Sequence, residues 1–519
     1  MFEHVPSRFV ESFDEDYDVV VVGYGYAGAI SALEASRAGA RVLVIEKSDV
    51  PGGISICSYG SVRSALDADK AFAYLSATNG GRTPEDVTRQ LANGMTEVEA
   101  YVRELATVNG AEVEAESHAL DGGEPSGGNY PLPGYDTFYH TKIANITGFN
   151  AGATYPWAHS PAPAGKMLFK LLEDNRTRFP FELRMAMRAL RLITSGGEVI
   201  GITIAGDGRM SRVRARKGVV LACGGFENNA EMQKQFWEGQ PVLAAAGKNN
   251  TGDGIVMAQD VGAALWHMWH FHGSYGFKYP DPTYPYGVRA KRLPDWMPGR
   301  AHAAKVKMAW ILLDRSGSRY MNEYDPYLQD TAHRPMHLFD PLSQDFSRIP
   351  SLMVCDEEGR RLYPLGRPTS NDRGLRLEWS EDNLAEVDLG IFKRADSLRE
   401  LAGKAGLDGD RFEASIARWN ASVRAGTDAD FNRPPGTMMP IATPPFYCAE
   451  VWPIVSNTQG GPVHDAQQRI VDGYGEPIPR LYAAGDCGSA FGHLYISGGN
   501  ISECFIGGRI AGKNVAISG

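Results

Sequence analysis

The pattern of apolar and polar positions near the N-terminus predicts a strand, a helix and a second strand. Residues 18–22 end in a run of β-branched side chains, which is typical of a strand buried on both faces. Residues 29–38 carry small and apolar side chains at helical spacing, and residues 41–45 form a second apolar run. This order predicts the start of an α/β unit.

The turn between the first strand and the helix carries the glycines of a dinucleotide-binding fingerprint, G-x-G-x-x-G. Gly23 permits the tight turn, Gly25 lets a pyrophosphate approach the backbone, and Gly28 lets the helix pack closely on the sheet. The helix N-terminus then offers N–H groups and a partial positive charge to the phosphates. Glu46 ends the second strand, where its carboxylate can accept both ribose hydroxyls. The alternative is a glycine turn in an ordinary α/β unit.

The rest of the chain alternates regular elements with stretches of mixed character. The predicted elements are helices at 84–108 and 166–176, a hairpin within 190–205, a strand at 216–222, a helix at 252–262 and a strand at 480–484. Residues 117–165 are rich in Gly, Pro, Asn and aromatic residues and are predicted to be irregular. Between about 265 and 440 the periodicity is mixed and Trp, His, Tyr and Pro are frequent, which indicates a separate lobe.

The composition limits the partners and the compartment. A chain of 519 residues exceeds what one core normally organises, so two or three lobes are expected. The net charge of −10 argues against nucleic acid or an anionic membrane surface as a partner. No apolar run approaches the roughly 18 residues of a membrane span, and no signal-peptide pattern is present at the N-terminus, so a cytoplasmic protein is expected. The six cysteines are scattered without a C-x-x-C pair, which predicts no metal site and no disulfide framework.

Four motifs occur in order along the chain and together resemble a flavoprotein superfamily. They are V-V-V-V-G-Y-G-Y-A-G, G-V-V-L-A-C-G-G-F, N-T-G-D-G-I-V-M-A, and L-Y-A-A-G-D-C-G followed by S-G-G-N. The set resembles the FAD-dependent superfamily of fumarate reductase, succinate dehydrogenase and the 3-ketosteroid dehydrogenases. The resemblance implies an α/β protein whose Rossmann-like FAD-binding domain spans residues 17–270 and 441–519. An α+β substrate-capping domain, residues 271–440, is inserted, and the flavin is expected between the two lobes.

The same resemblance assigns residues to the cofactor. Those implied to contact FAD are Gly23, Gly25, Ala27, Gly28, Glu46, Lys47, Gly52, Gly53, Ser55, Ala222, Gly224, Asp253, Gly485, Asp486, Gly498, Asn500 and Ile501. Asp253 and Asp486 are implied to lie near the ribityl chain, and Asn500 near the flavin pyrimidine ring. Covalent members of the superfamily carry a histidine after the second glycine pair. Residues 54–58 contain none, so FAD is expected to be bound non-covalently.

Two positions argue against a dicarboxylate substrate. In the carboxylate reductases of the superfamily an arginine precedes the last glycine pair, and Ile496 takes that place here. Their proton-donor arginine follows the R-[FY]-x-N-E block, residues 319–323 here, and Tyr327 takes its place. Histidines or the arginines Arg289, Arg292 and Arg300 could still bind a carboxylate, which keeps that alternative open. A small oxo-acid could also be bound by Lys278, Arg289, Lys291 and Arg292.

The tyrosines of these motifs resemble the catalytic set of 3-ketosteroid Δ4-(5α)-dehydrogenase. The resemblance implies Tyr495 as the base for the α-proton, Ser497 as its hydrogen-bonded relay and Tyr320 as a supporting phenol. The N–H of Gly499 is implied as a donor to the developing enolate oxygen. A phenol has a reference pKa of about 10, so a neighbouring hydroxyl or positive field must lower it. Alternatively, Tyr320 is a packed aromatic residue.

The leading functional prediction is an FAD-dependent dehydrogenase that introduces a C=C bond α,β to a ring ketone. The substrate is a 3-ketosteroid or a smaller cyclohexanone-type ketone such as 4-oxocyclohexanecarboxylate, and the electron acceptor is unknown. The alternatives are a fumarate or enoate reductase and a non-enzymatic FAD-fold binding protein. His267, His270 and His272 have a spacing that permits a metal site, but an aromatic pocket wall or plain core is favoured.

Overall fold

The computed structural model describes residues 9, 12–116, 129–160, 162–296, 306–328 and 330–518, so Arg300 lies outside the described residues. The strands are β1 (Glu15–Val22), β2 (Val42–Ile45), β3 (Val62–Ala65), β4 (Glu112–Glu116), β5 (Phe138–Asn145), β6 (Ala158–His159), β7 (Glu182–Arg184), β8 (Arg188–Ser195), β9 (Glu198–Gly206), β10 (Arg209–Leu221), β11 (Leu243–Ala244), β12 (Leu265–Trp266), β13 (Phe271–Lys278), β14 (Gly287–Ala290), β15 (Ile311–Leu313), β16 (Ser351–Asp356), β17 (Gly366–Arg367), β18 (Ser370–Asn371), β19 (Lys393–Ala395), β20 (Phe446–Thr458), β21 (Gly461–Pro462), β22 (Arg469–Val471) and β23 (Pro477–Ala483). The helices are α1 (Tyr26–Arg37), α2 (Ala68–Asn79), α3 (Glu85–Ala106), α4 (Ala151–Thr154), α5 (Ala164–Asn175), α6 (Ala230–Phe236), α7 (Asp253–Asp260), α8 (Glu357–Arg361), α9 (Leu384–Asp388), α10 (Leu398–Ala405), α11 (Gly409–Ala425) and α12 (Gly499–Ile517).

Strand β1 lies inside the first sheet, as its β-branched run predicts. It pairs in parallel with β2 on one side and with β10 on the other, and β23 pairs in parallel with β10. The order is β22-β23-β10-β1-β2-β7, with β8 and β9 attached through β10. Strands from both ends of the chain therefore share one sheet, and the predicted α/β class with a Rossmann-like sheet is confirmed.

Helices α1 and α12 pack against each other at glycines of α12. A Cβ at Gly508 would lie 2.9 Å from the carbonyl oxygen of Ala27, and one at Gly512 would lie 2.4 Å from that of Ser31. The contact joins the first motif to the last one, so both helix N-termini are held over the same edge of the sheet. Across the parts of the chain that the structure describes, no helix combines the length and the apolar character that a membrane span needs.

A second eight-stranded sheet forms the capping lobe. Its order is β15-β16-β20-β13-β14-β17, with β11 and β19 attached to β20. The predicted boundary at residue 440 excludes β20 from this lobe, yet β20 pairs with β13, β16 and β19. Its backbone hydrogen bonds therefore place it at the centre of the second sheet, and the capping lobe continues beyond the predicted boundary. Strand β11, predicted within the first lobe, also belongs here.

The local predictions hold where the hydrophobic period is strong. Strands β8 and β9 form the predicted antiparallel hairpin, and α3 falls within the predicted range 84–108. Helix α5 begins two residues before the predicted range 166–176 and ends one residue before its end. The segment 117–165 was predicted to be irregular, and 117–128 and 161 lie outside the described residues. Its described part contains β5, which pairs with β3 and β4. Alternation of buried and less buried side chains along β5 explains the strand, because one face packs on the core.

Candidate active site

A first cavity opens at the carboxyl ends of β1, β2 and β10. Gly23 turns the chain there with φ of +102°, and a Cβ on it would lie 2.4 Å from the carbonyl oxygen of Ala222. A Cβ on Gly28 would lie 2.0 Å from the carbonyl oxygen of Gly23. Only glycine allows the first turn of α1 to approach β1 and β10 so closely, which leaves the backbone open to a ligand.

The carboxylate of Glu46 is fixed at one end of this cavity. Its two oxygens accept the N–H groups of Tyr24 at 2.9 Å and of Ser48 at 2.8 Å. Burial raises the pKa of Glu46 above its ordinary value. Lys47, the next residue, forms an ion pair of 3.0 Å with Asp253, which also pairs with Arg188 at 3.1 Å. Asp253 therefore lies at the Glu46 end of the first cavity, where a ribose is expected.

The predicted cofactor residues fit FAD. Those that line the first cavity are Gly23, Gly25, Ala27, Glu46, Lys47, Gly53, Ser55, Ala222, Gly224, Asp253 and Asp486. Three of the predicted cofactor residues are not part of the described lining of this cavity: Gly28, Gly52 and Gly485. Gly485 packs against Ala27 instead, since a Cβ on it would lie 2.9 Å from the Cβ of Ala27. A glycine turn at a helix N-terminus and a fixed acid at the next strand end suit a pyrophosphate and a ribose.

A second cavity adjoins the first and lies between the two lobes. The two cavities share Tyr26, Ile54, Ser55, Asp486 and Cys504. Gly498, Asn500 and Ile501, at the start of α12, line only the second one. A cofactor with its ADP half in the first cavity thus has room for its flavin at the junction, next to a substrate.

Tyr495 lies in the wall of the second cavity and is held on both sides. Its hydroxyl oxygen accepts the N–H of Gly498 at 2.8 Å. Its ring stacks on His272 with 3.7 Å between ring centroids, and Nδ1 of His272 lies 2.8 Å from Oδ1 of Asn457. Burial lowers the pKa of His272 to about 4, so this ring is neutral near pH 7. Burial holds the pKa of Tyr495 well above its ordinary value.

A fully buried guanidinium lies beside the tyrosines. Nε of Arg63 donates to the carbonyl oxygen of Ser497 at 2.6 Å. Burial lowers the pKa of Arg63 to about 10, and Tyr327 and Tyr495 are among the groups that oppose this change. Burial raises the pKa of Tyr327, and the charges of Asp330 and Asp295 act in the same direction, whereas a hydrogen bond with Ser497 and the charge of Arg63 act to lower it. The site therefore contains a cation and a hydroxyl next to a phenol, as the predicted chemistry requires.

The structure does not bring every predicted catalytic group to this site. The hydroxyl of Tyr320 lies 2.7 Å from Oγ of Ser351, within the hydrophobic core of the capping lobe. Tyr320 is therefore packed in the core, which was the alternative interpretation. The N–H of Gly499 donates to the carbonyl oxygen of Ile496 at 2.7 Å, so it is not free to bind a ketone oxygen. Ser497 and Tyr495 do line the cavity together.

The sequence motifs do not identify Arg63 as a member of the site, mark Tyr327 only as the residue replacing an arginine, and leave His272 as either pocket wall or core. The structure places His272 in the wall of the second cavity. Arg63 lies in β3, far from every motif, and no local signal marks it. His267 and His270 lie outside the catalytic wall: their Nδ1 atoms are 2.8 Å from the carbonyl oxygen of Ser489 and 3.0 Å from that of Phe491. These two histidines therefore hold in place the loop at residues 489–491, which precedes Tyr495. No group of metal-ligating residues is found in the described ranges of the chain.

Buried carboxyl groups near the flavin site predict a loss of stability as the pH rises. Burial raises the pKa of Glu503 from 4.5 to about 8. The native state therefore binds more protons than the unfolded state between these values, so its stability falls as the pH rises from about 5 to 8. We expect the Tm of Glu503→Gln to depend less on pH than that of the wild type over this range. The exposed control Glu381→Gln should keep the wild-type dependence, and equal slopes for all three proteins would contradict the assignment.

Comparison with known proteins agrees with this geometry. The profile of the family described as FAD binding domain matches residues 18–501, so the chain belongs to that family. The 3-oxosteroid 1-dehydrogenase of Mycobacterium tuberculosis is 28% identical over 97% of this chain and 98% of the relative. The fumarate reductase (cytochrome) of Shewanella frigidimarina is 27% identical, covering 96% and 77% of the two chains. The 4-oxocyclohexanecarboxylate 2-dehydrogenase of Sinomonas cyclohexanicum is 27% identical, covering 96% and 93%.

A solved structure shares the fold. The crystal structure of 3-ketosteroid delta1-dehydrogenase from Sterolibacterium denitrificans matches 97% of this chain and 100% of its own chain with a TM-score of 0.77 at 23% identity. The predicted resemblance to the flavoprotein superfamily and the prediction of FAD as cofactor are confirmed. The protein is an FAD-dependent oxidoreductase, as predicted.

Proposed function

We propose that this protein is a dehydrogenase that introduces a C=C bond α,β to the carbonyl of a ring ketone. The observation that carries the proposal is the pair Tyr495 and Ser497 in the wall of the second cavity, with Ser497 joined to the buried guanidinium of Arg63 and to the phenol of Tyr327. Non-covalently bound FAD would accept the hydride that leaves the β-carbon. The residues of the chain must then polarise the ketone and take the α-proton.

Tyr495 is suited to polarise the ketone. Because its oxygen already accepts the N–H of Gly498, its own proton remains available to the carbonyl oxygen of the substrate. A pKa held high by burial keeps this phenol protonated, and a protonated phenol donates rather than abstracts. The negative charge that develops on the ketone oxygen is stabilised by this donor.

Tyr327 is the better candidate for the base. Its hydroxyl has a hydrogen bond with Ser497 and the positive charge of Arg63 nearby, and both favour the phenolate and oppose the effect of burial on its pKa. The α-proton would pass to the Tyr327 oxygen, and Ser497 keeps its predicted role as relay. Tyr327 thus takes the role of base for the α-proton, which the family resemblance had implied for Tyr495.

The second candidate function is reduction of an unsaturated carboxylate, the reverse direction of the same chemistry. The presence of Arg289 and Arg367 in the second cavity favours an anionic ligand and so supports this candidate. Tyr327 and Ile496 stand against it, since each replaces an arginine that the carboxylate reductases of the superfamily use. A dehydrogenase acting on a ketone accounts for the tyrosines and is preferred.

Single-turnover reduction of the flavin tests the proposal without any knowledge of the electron acceptor. The holoenzyme is mixed anaerobically with a 3-ketosteroid, cyclohexanone, 4-oxocyclohexanecarboxylate or succinate. We expect a saturated ring ketone to bleach the oxidised-flavin absorbance and to yield a product lighter by two hydrogens, and succinate to have no effect. Bleaching by succinate alone, or by no ketone while dithionite still reduces the flavin, would refute the proposal.

A further inference from the structure

Two guanidinium groups of the capping lobe line the second cavity. Arg289 in β14 and Arg367 in β17 are directly opposed partners in an antiparallel strand pair. Directly opposed residues in such a pair project from the same face of the sheet. Both side chains line the cavity that Tyr495 also lines. The capping sheet therefore brings two cations to the site that is expected to receive the substrate.

Neither arginine is neutralised by a carboxylate within the described ranges. Arg289 donates to the hydroxyl oxygens of Ser456 at 3.3 Å and Thr369 at 3.2 Å, and its buried Nε has no partner there. The guanidinium of Arg367 lies over the ring of Tyr59, 5.4 Å from its centroid. Placing two like charges opposite each other on a sheet is destabilising, so a compensating anion is expected.

The acids of the same cavity do not supply that anion. Asp295 and Asp486 also line it, but neither forms an ion pair with Arg289 or Arg367 in the described structure. Asp486 instead accepts hydrogen bonds from Asn457 at 3.2 Å and Asn500 at 3.1 Å. Burial and the charge of the neighbouring Arg367 both lower the pKa of Arg289. This direction is the one expected for a guanidinium that has no carboxylate partner within the described ranges.

The arginine pair and Tyr495 are supported by the same stretch of β20. Ser456 of β20 accepts a hydrogen bond from Arg289, and Asn457, the next residue, contacts His272, which stacks on Tyr495. Arg289, Arg367 and Tyr495 all line the second cavity, so one ligand in that cavity can contact the cations and the phenol together.

We propose that Arg289 and Arg367 bind a carboxylate on the substrate, which makes the substrate a small ring ketone that carries a carboxylate. The proposal rests on the proposed function, since Tyr495 receives the ketone of the same molecule. Guanidinium groups suit this role because their planar donors match the two oxygens of a carboxylate. Fixing the anion at one end and the ketone at the other orients the α- and β-carbons, and the carboxylate itself is unchanged by the reaction.

The first experiment compares 4-oxocyclohexanecarboxylate with its methyl ester in anaerobic flavin reduction by the holoenzyme. We expect the acid to be preferred in the wild type. In Arg289→Gln and Arg367→Gln the acid-to-ester ratio of rate constants should fall by about 10- to 100-fold, the loss expected for a charge-assisted hydrogen-bonded contact. Arg394→Gln removes an exposed arginine that pairs with Asp396 at 3.6 Å, and it should keep the wild-type ratio.

The second experiment measures binding without turnover. Cyclohexanecarboxylate, which has no ketone, is titrated into the oxidised holoenzyme by calorimetry at low and high salt. We expect salt-dependent binding that weakens by about 10- to 100-fold in Arg289→Gln and Arg367→Gln and is kept in Arg394→Gln. Both variants should fold, since removing an unneutralised cation breaks no ion pair, and their Tm and flavin content check this.

The outcomes separate this inference from the proposed function. If no ketone reduces the flavin but the two arginine variants lose carboxylate binding, the proposed function fails and the anion site stands. If ketones reduce the flavin and the variants leave the acid-to-ester ratio unchanged, the function stands and the carboxylate site is overturned. Loss of FAD from both variants at wild-type Tm would also overturn it, because the arginines would then serve the cofactor.

Discussion

Replacing Tyr495 by phenylalanine is expected to lower the rate of flavin reduction by a saturated ring ketone by about 1000-fold. The substitution removes the phenolic donor but keeps the ring that stacks on His272. The flavin absorbance spectrum of the oxidised protein should stay close to that of the wild type, because the hydroxyl contacts Gly498 at 2.8 Å rather than the first cavity. Rapid-mixing anaerobic spectroscopy measures the rate.

Tyr327→Phe is expected to lower the rate of flavin reduction by a similar factor, because it removes the proposed base for the α-proton. If Tyr327 is the base, its removal should abolish exchange of the α-protons of the ketone with deuterium oxide, whereas Tyr495→Phe should only slow it. Tyr320→Phe is the matched control, since its hydroxyl bonds to Ser351 in the core and should cost about 1 kcal/mol of stability without a change in rate. Full activity in Tyr495→Phe, or a large loss in Tyr320→Phe, would reverse these assignments.

The second large effect is expected from Gly28→Ala. The added Cβ would lie 2.0 Å from the backbone carbonyl oxygen of Gly23, and no side-chain rotation relieves this contact because the position of a Cβ is fixed by its own backbone. Relief requires a shift of the first turn of α1 away from β1, which displaces the N–H groups that face the pyrophosphate. We expect the variant to purify without FAD and to lose at least about 3 kcal/mol of stability. Flavin content after desalting and thermal unfolding measure the two effects.

Gly403→Ala provides a control of the same kind. Gly403 also lies in a helix, α10, and an added Cβ there meets no atom within 4 Å. Alanine is favoured over glycine in a helix interior by about 1 kcal/mol, so the control should keep FAD and gain stability. Bound FAD at the wild-type level in Gly28→Ala would show that the close contact of α1 is not needed for the cofactor.

The sequence alone determined the first lobe and its cofactor. The β-branched run of β1, the glycine turn and Glu46 lie within about 30 residues, and such local order is visible because strand period, helix period and turn chemistry act between near neighbours. Motifs at both ends of the chain likewise identified the FAD family. The same motifs placed Tyr495 and Ser497 at the site, since both are close in sequence to the glycines that open α12.

Only the tertiary structure decided which other groups join them. The position of Tyr320 in the core, the contact of Arg63 with Ser497 and the pairing of Arg289 with Arg367 all depend on contacts between residues far apart in the chain. The membership of β20 in the second sheet was likewise hidden, because backbone pairing across hundreds of residues leaves no periodic signal in one strand. Local patterns thus fixed the elements and the cofactor, whereas long-range packing fixed the chemistry of the substrate pocket.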